Sequence, residues 1–150
     1  MARKRSFNRY TLKIYPDRMA RTAYRVIEID GSENLDMLCD AILFHFDFTS
    51  EHMYEFSLDG RLYTDDTIIC ESDEGQPTTD QVTIDQLGLA KGSKFWFHYD
   101  FGDDWVFVIS VQKVTPADAP EKPKLLRSKG EVEQYPDWDD DEEDWSDEEE

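Results

Sequence analysis

The chain has 150 residues, a length typical of one domain with tails, so a set of independent catalytic modules is excluded. The 35 Asp and Glu residues outnumber the 16 Lys and Arg residues, and the net charge of -19 opposes unaided binding to nucleic acid phosphates or to anionic membranes. Aromatic residues make up 13% of the chain, which is too many for a wholly disordered acidic protein and requires a packed core.

The charge is unevenly distributed along the chain. Residues 1–25 carry a net charge of +7, whereas the last 20 residues contain 13 acidic side chains and no basic one. We expect most of the acidic tail to be disordered because its charges repel one another. Its aromatic residues, Tyr135, Trp138 and Trp145, are candidate anchors on a basic partner or on the chain's own basic start. The predicted segments are a basic leader at 1–9, an α+β domain at 10–115, a proline-rich linker and extension at 116–136, and an acidic tail at 137–150.

Two strands and a helix are predicted in the first third of the chain. Apolar and polar residues alternate from Tyr10 to Tyr15, which indicates a strand, and the run from Ala23 to Ile29, ended by Asp30-Gly31, indicates a second one. Ser32 or Asn34 is the expected cap of the following helix. Apolar residues recur along that helix at helical spacing and predict one buried stripe, formed by Leu35, Leu38, Cys39, Ile42, Leu43 and Phe46.

Further strands are predicted after the helix. Asp59-Gly60 is a strong hairpin signal between strands at Tyr54–Leu58 and Arg61–Tyr63. A turn or short helix is expected at Val82–Leu89, and two strands are expected at Phe95–Phe101 and Trp105–Val114, joined by a tight turn. This order predicts an α+β fold in which a mixed, mostly antiparallel sheet wraps one main helix, in a β-grasp-like order.

The sequence indicates a cytoplasmic protein. No apolar run approaches the ~20 residues that cross a bilayer, so no membrane association is expected. The basic start from Met1 to Tyr10 lacks the apolar stretch of a signal peptide. Cys39 and Cys70 have neither zinc-site spacing nor the number needed for a disulfide scaffold, so we expect free or buried thiols.

Several segments resemble the plasmid pRiA4b ORF-3-like family, some members of which are linked to mobile elements. The resemblance covers roughly residues 10 to 138 and is strongest in the signature Tyr99-Asp100-Phe101-Gly102-Asp103-Asp104-Trp105. Tyr24 to Ile29, Leu43-Phe44-His45 and His52 to Phe56 also match. Family members often have His two residues after the signature Trp, where this chain has Phe107, so no role for a His carries over there. The resemblance implies the fold and no particular reaction.

The signature also offers oxygen ligands for a divalent cation. Asp100, Asp103 and Asp104, with His98 nearby, are weak candidates for a metal site, because carboxylates suit Mg²⁺ or Ca²⁺ but the EF-hand spacing is absent. We therefore favour a hairpin in which Gly102 permits a positive φ and Asp side chains accept hydrogen bonds from nearby backbone N–H groups. No cofactor and no catalytic residue are predicted.

The leading hypothesis is a non-enzymatic module that binds a protein partner with a basic surface through a cleft near the signature, with the acidic tail steering the encounter. One alternative is a metal-dependent hydrolase that uses the hairpin carboxylates and His98, and another is an acidic DNA mimic. Nucleic acid binding is expected only through the basic leader, because basic residues are scarce around the signature aromatics. The predicted binding residues are Arg25, His45, His52, Tyr54, His98, Tyr99, Asp100, Asp103, Asp104 and Trp105.

Overall fold

The computed structural model describes residues 6–59, 67–71, 75 and 77–134. The predicted acidic tail, with Tyr135, Trp138 and Trp145, lies outside the described residues, as do most of the basic leader and the predicted strand at Arg61–Tyr63. The elements in chain order are β1 (Phe7–Pro16), β2 (Tyr24–Asp30), α1 (Leu35–His45), β3 (Tyr54–Ser57), β4 (Thr67–Ile69), a 3-10 turn (Asp85–Leu87), β5 (Lys94–Tyr99), β6 (Trp105–Ala117) and β7 (Lys124–Lys129).

The strands form one sheet in the order β4-β3-β5-β6-β1-β2-β7. All six pairings between the described strands are antiparallel, including the central pair β1–β6. The prediction of a mostly antiparallel α+β fold with one main helix is therefore confirmed. The mixed sheet and the β-grasp-like order are not confirmed, because no parallel pairing occurs among these strands.

One face of the sheet and one stripe of α1 share a single hydrophobic core. The whole predicted stripe of the helix, from Leu35 to Phe46, is buried. Asn34 is the N-cap, and its side chain accepts a hydrogen bond from the backbone N–H of Met37 at 2.9 Å. The sheet contributes residues of five strands, at the alternate positions that the period of two requires: Tyr10, Leu12, Ile14, Ile27, Ile29, Phe56, Phe95, Phe97, Tyr99, Phe107, Ile109 and Val111.

Strand β7 lies within the segment 116–136, for which the sequence predicted a linker and extension. It pairs with β2 from Glu28↔Lys124 to Tyr24↔Lys129 and forms an edge of the sheet. Strand β1 likewise begins at Phe7, inside the predicted basic leader. Among the described residues, no helix is long and apolar enough to cross a membrane.

Candidate functional site

The turn between β5 and β6 is built by aspartates. Asp100 and Asp104 both adopt the left-handed conformation, with φ of 65° and 53°. Asp tolerates this region better than most residues because its short side chain bonds to nearby backbone. Asp100 Oδ1 accepts hydrogen bonds from the backbone N–H groups of Gly102 at 3.1 Å and Asp103 at 3.3 Å. The predicted hairpin with Asp capping of the backbone is confirmed, but the positive φ expected at Gly102 is not found, because Asp100 and Asp104 adopt the left-handed conformation instead.

His98 lies between two carboxylates on the face of the sheet opposite α1. Its Nδ1 is 2.7 Å from Glu55 Oε2 and its Nε2 is 2.6 Å from Asp104 Oδ1. The Phe101 ring stacks on the imidazole with a centroid distance of 4.8 Å. His98 and Glu55 are fully buried, whereas the Asp104 side chain is 52% exposed. The ring is therefore oriented from both sides, and only one of its carboxylate neighbours reaches solvent.

Sequence reasoning missed Glu55, although it stands in a predicted strand. The register pairs Glu55 directly with His98 across β3 and β5, so the two side chains project from the same face. The available signal was a Glu at an alternate position of an otherwise apolar strand. The sequence alone does not specify which His or cation lies opposite that Glu.

His52 and Tyr99 lie close to the turn. His52 Nε2 is 3.5 Å from Asp100 Oδ2, and the rings of His52 and Tyr99 are in edge contact at 5.7 Å. The buried Tyr99 hydroxyl accepts the backbone N–H groups of Glu51 and His52, at 3.0 and 3.3 Å, and donates to the carbonyl of Thr49. Tyr99 therefore positions the segment before β3 and has no exposed surface with which to contact a ligand.

Tyr54 points toward the first turn of α1. Its hydroxyl donates to Asp36 Oδ1, and Thr79 Oγ1 donates to the same oxygen at 2.5 Å. Burial and the Asp36 hydrogen bond raise the pKa of Tyr54 well above its usual range. Tyr54 is thus a structural link between β3 and the helix, and its hydroxyl is bonded to the helix side rather than to the aspartate turn.

Arg25 and His45 meet at the other end of α1. The Arg25 Nε donates to the carbonyl of His45 at 2.8 Å, and its Nη1 donates to the carbonyls of Tyr24 at 2.9 Å and Lys129 at 3.0 Å. The guanidinium carbon lies 4.7 Å from the centroid of the Phe46 ring. Burial lowers the pKa of Arg25, and burial together with the Arg25 charge lowers the pKa of His45. Arg25 joins β2, α1 and β7 and borders a cleft of about 570 Å³ with Glu131 and Gln134.

A separate cleft of about 360 Å³ opens beside the aspartate turn, and we call it the hairpin cleft. Three of the predicted residues line it, with Asp17 and Met19 from the β1–β2 connection opposite. Neither Asp17 nor Asp103 makes an ion pair with any residue that the structure describes. The lining residues are Pro16, Asp17, Met19, Asp103, Asp104, Trp105 and Val106.

Trp105 forms the aromatic wall of the hairpin cleft. Its ring is in edge contact with Phe48 at 4.9 Å and stacks on Phe107 at 6.0 Å. Phe107, two residues after the signature Trp, is a fully buried core residue. The contacts with Phe48 and Phe107 therefore fix the position of the Trp105 indole.

The predicted site residues therefore separate into five places. Asp103, Asp104 and Trp105 line the hairpin cleft, and Asp100 with His52 lies behind the turn. His98 lies on the outer face, and Tyr54 and Tyr99 face the core. Arg25 and His45 lie at the far end of the helix. Within the described part of the chain, no three His, Cys, Asp or Glu side chains are arranged to hold a metal ion.

Comparison with known proteins agrees with the resemblance in the signature. No curated protein matches the chain. A solved structure of a protein of unknown function from Methanosarcina mazei Go1 is similar in fold, with a TM-score of 0.68 and 22% identity over 84% of this chain and 72% of that one. The sequence profile of the plasmid pRiA4b ORF-3-like proteins matches residues 8–137, which include the helix, the signature turn and all seven strands except the first residue of β1. The chain therefore belongs to the plasmid pRiA4b ORF-3-like protein family.

Proposed function

We propose that this protein is a non-enzymatic interaction module whose hairpin cleft binds a positively charged side chain of a protein partner. The observation that carries the proposal is the lining of the cleft, which combines three carboxylates, from Asp17, Asp103 and Asp104, with the Trp105 indole. Carboxylates bond the N–H groups of an arginine or lysine, and an indole face attracts the same cation.

Two features of the cleft favour binding of an outside cation. Asp17 and Asp103 are not used in ion pairs with described residues, so their charges remain available. Asp104 is held by His98 at 2.6 Å, and Trp105 is held by Phe48. A ligand that binds such preorganised groups loses less free energy to the ordering of side chains.

The acidic tail supports the proposal through long-range electrostatics. The segment 137–150 contains eleven carboxylates and no basic residue. Such a charge raises the rate of encounter with a cationic partner, and salt reduces the effect. In this proposal the hairpin cleft provides the specific contact and the tail provides the attraction at a distance.

Titration with Nα-acetyl-arginine amide, followed by NMR of the backbone amides, tests the cleft directly. We expect shifts at Met19, Asp103 and Trp105. An exposed charge pair contributes up to about 1 kcal/mol, so we expect the double variant Asp17→Asn with Asp103→Asn to weaken binding by at least fivefold.

The control variant Asp40→Asn with Glu33→Gln removes the same charge from the helix side of the molecule, and its affinity should stay within twofold of the unmodified chain. Shifts spread over every acidic surface, or equal weakening by the two double variants, would contradict a specific cleft. The tail is tested by the association rate of a hexa-arginine peptide at low and high salt. We expect the salt dependence to shrink when the eleven tail carboxylates are changed to amides.

A further inference from the structure

The sheet face opposite α1 carries basic residues on four of its strands, although the whole chain has a net charge of -19. The register shows this directly. Val26 is paired with Lys13 on one side and Arg127 on the other, and Lys13 is paired with Ser110, which is paired with Lys94. We call this surface the basic face; its cations are Lys13, Lys94, Lys113, Lys124, Arg127 and Lys129.

Few carboxylates oppose these cations. On the outward positions of β1, β2, β6 and β7, the acidic residues are Glu28 and Asp30. Asp30 is already neutralised, since its Oδ1 lies 2.6 Å from Arg9 Nε. Five of the six cations of the basic face are exposed, the exception being the partly buried Lys13. The basic face therefore carries a local positive charge in a strongly acidic protein.

Aromatic rings lie between the cations. Lys13 Nζ is 4.5 Å from the centroid of the Tyr24 ring and 5.7 Å from that of Tyr15. A depression of about 350 Å³ beside them is bounded by Arg127 and Leu126, and Leu126 is 48% exposed. Basic and aromatic groups are thus interleaved across the strands, an arrangement suited to an extended polyanion that carries flat rings.

The chain itself contains such a polyanion. The segment 137–150 has eleven carboxylates together with Trp138 and Trp145. Gln134 is the last residue before the undescribed C-terminal stretch, and its side chain accepts the backbone N–H of Thr49 at 2.7 Å. The 16 residues after it can span up to ~55 Å when extended, whereas four neighbouring strands cover only ~15–20 Å. The segment is therefore long enough to pass the β7 edge and cross the basic face.

We propose that the basic face is the docking surface for the chain's own acidic segment 137–150, through charge pairing and contacts of Trp138 and Trp145 with the tyrosines. Tethering favours this occupant, because a short linker gives an effective concentration in the millimolar range. A free single-stranded nucleic acid suits the same surface but must displace the tethered segment. The docked segment thus shields the basic face from other polyanions. The basic partner proposed above competes with the basic face for binding to segment 137–150.

The test compares backbone amide NMR spectra of the full chain with those of a variant in which all eleven carboxylates of segment 137–150 are changed to amides. We expect shift differences at Lys13, Tyr15, Tyr24 and Arg127 in low salt, and their loss in ~1 M salt, where the screening length is only ~3 Å. Differences confined to residues 6–9, or no differences within the described part of the chain, would overturn the proposal.

Charge reversal on the basic face supplies a matched control. Lys113→Glu with Arg127→Glu changes two exposed residues of the face and should abolish the shift differences. Lys91→Glu with Arg21→Glu makes the same change of charge in two loops and should preserve them. Equal effects of the two double variants would show only a general dependence on net charge and would overturn a defined docking surface.

A labelled oligo(dT) strand distinguishes the second occupant. If the segment shields the basic face, changing its carboxylates to amides should tighten oligonucleotide binding by at least tenfold at low salt, and Lys113→Glu with Arg127→Glu should reverse the gain. Equal affinity of the full chain and the amide variant would show a face already open to nucleic acid and would overturn the proposal.

Discussion

His98 and Glu55 form a fully buried cross-strand pair, with Nδ1 and Oε2 2.7 Å apart. Asp104 bonds the other ring nitrogen from a half-exposed position. The same imidazole therefore has one carboxylate neighbour in the protein interior and one at the surface. Replacing each carboxylate separately compares the free energy that a buried partner and an exposed partner contribute.

We expect Glu55→Gln to lower the free energy of unfolding by about 2 kcal/mol, because a buried hydrogen bond to a charged group contributes roughly that much. Asp104→Asn keeps a side chain that tolerates the left-handed backbone and should cost less than about 1 kcal/mol, since exposed ion pairs are weak. Urea denaturation with an unchanged m-value measures both. Equal losses in the two variants would contradict the importance of burial at Glu55.

Arg25 is expected to require its guanidinium group rather than only its charge. It is 9% exposed and donates to carbonyls on β2, α1 and β7, which a single ammonium cannot bridge in the same geometry. Arg25→Lys should reduce stability by about 2 kcal/mol and speed hydrogen exchange in β7. Arg127→Lys, at an exposed position of β7, is the control, and faster exchange in that variant as well would point to a general weakness of the edge strand.

Gly130 is expected to tolerate no side chain. Its φ is +71°, and a Cβ there would lie 2.1 Å from the carbonyl oxygen of Thr22. Gly130→Ala must therefore move the backbone between β7 and the residues after it, and we expect a loss above about 2 kcal/mol. Gly88 has a similar φ of +68° with nothing within 4 Å, so Gly88→Ala should cost only the conformational term of about 1 kcal/mol. Similar thermal denaturation midpoints for the two variants would contradict this difference.

His45 should make the fold less stable in mild acid. Burial and the Arg25 charge lower its pKa in the folded state, so the unfolded chain binds a proton at higher pH than the folded one does. The free energy of unfolding therefore falls as the pH decreases from the ordinary histidine pKa near 6.5 through the lower folded value. In His45→Gln this contribution should disappear, and denaturant titrations at several pH values should show a shallower loss. A pH profile identical to that of the unmodified chain would contradict it.

Local sequence patterns were sufficient for the helix, for five of the seven described strands and for most of the core. The spacing of apolar residues from Leu35 to Phe46 predicted the buried stripe of α1, and the predicted strand at Phe95–Phe101 contains Phe95, Phe97 and Tyr99, which the structure places in the core. These signals depend on the periods of helices and strands, which a short stretch of sequence contains in full. The signature turn was predictable for the same reason, because Asp100 caps backbone groups only two and three residues away.

Strand neighbours were not predictable in this way. The segment of β7 is polar and follows Pro123, so it resembled a linker, and its place beside β2 depends on long-range pairing and on the Arg25 bond to Lys129. Asp17 and Met19, which line the hairpin cleft, were not predicted, because they come from a connection that is distant in sequence from Trp105.

The sequence by itself determined the α+β composition, the helix with two candidate caps, five of the strands and the aspartate turn. Only the tertiary structure decided that Glu55 lies opposite His98, that Arg25 joins three elements, and that lysines from separate strands form one basic face. The physical reason is the register of the sheet. Cross-strand neighbours can be many residues apart in the chain, and their pairing is selected by burial of the whole inward face and not by any local pattern.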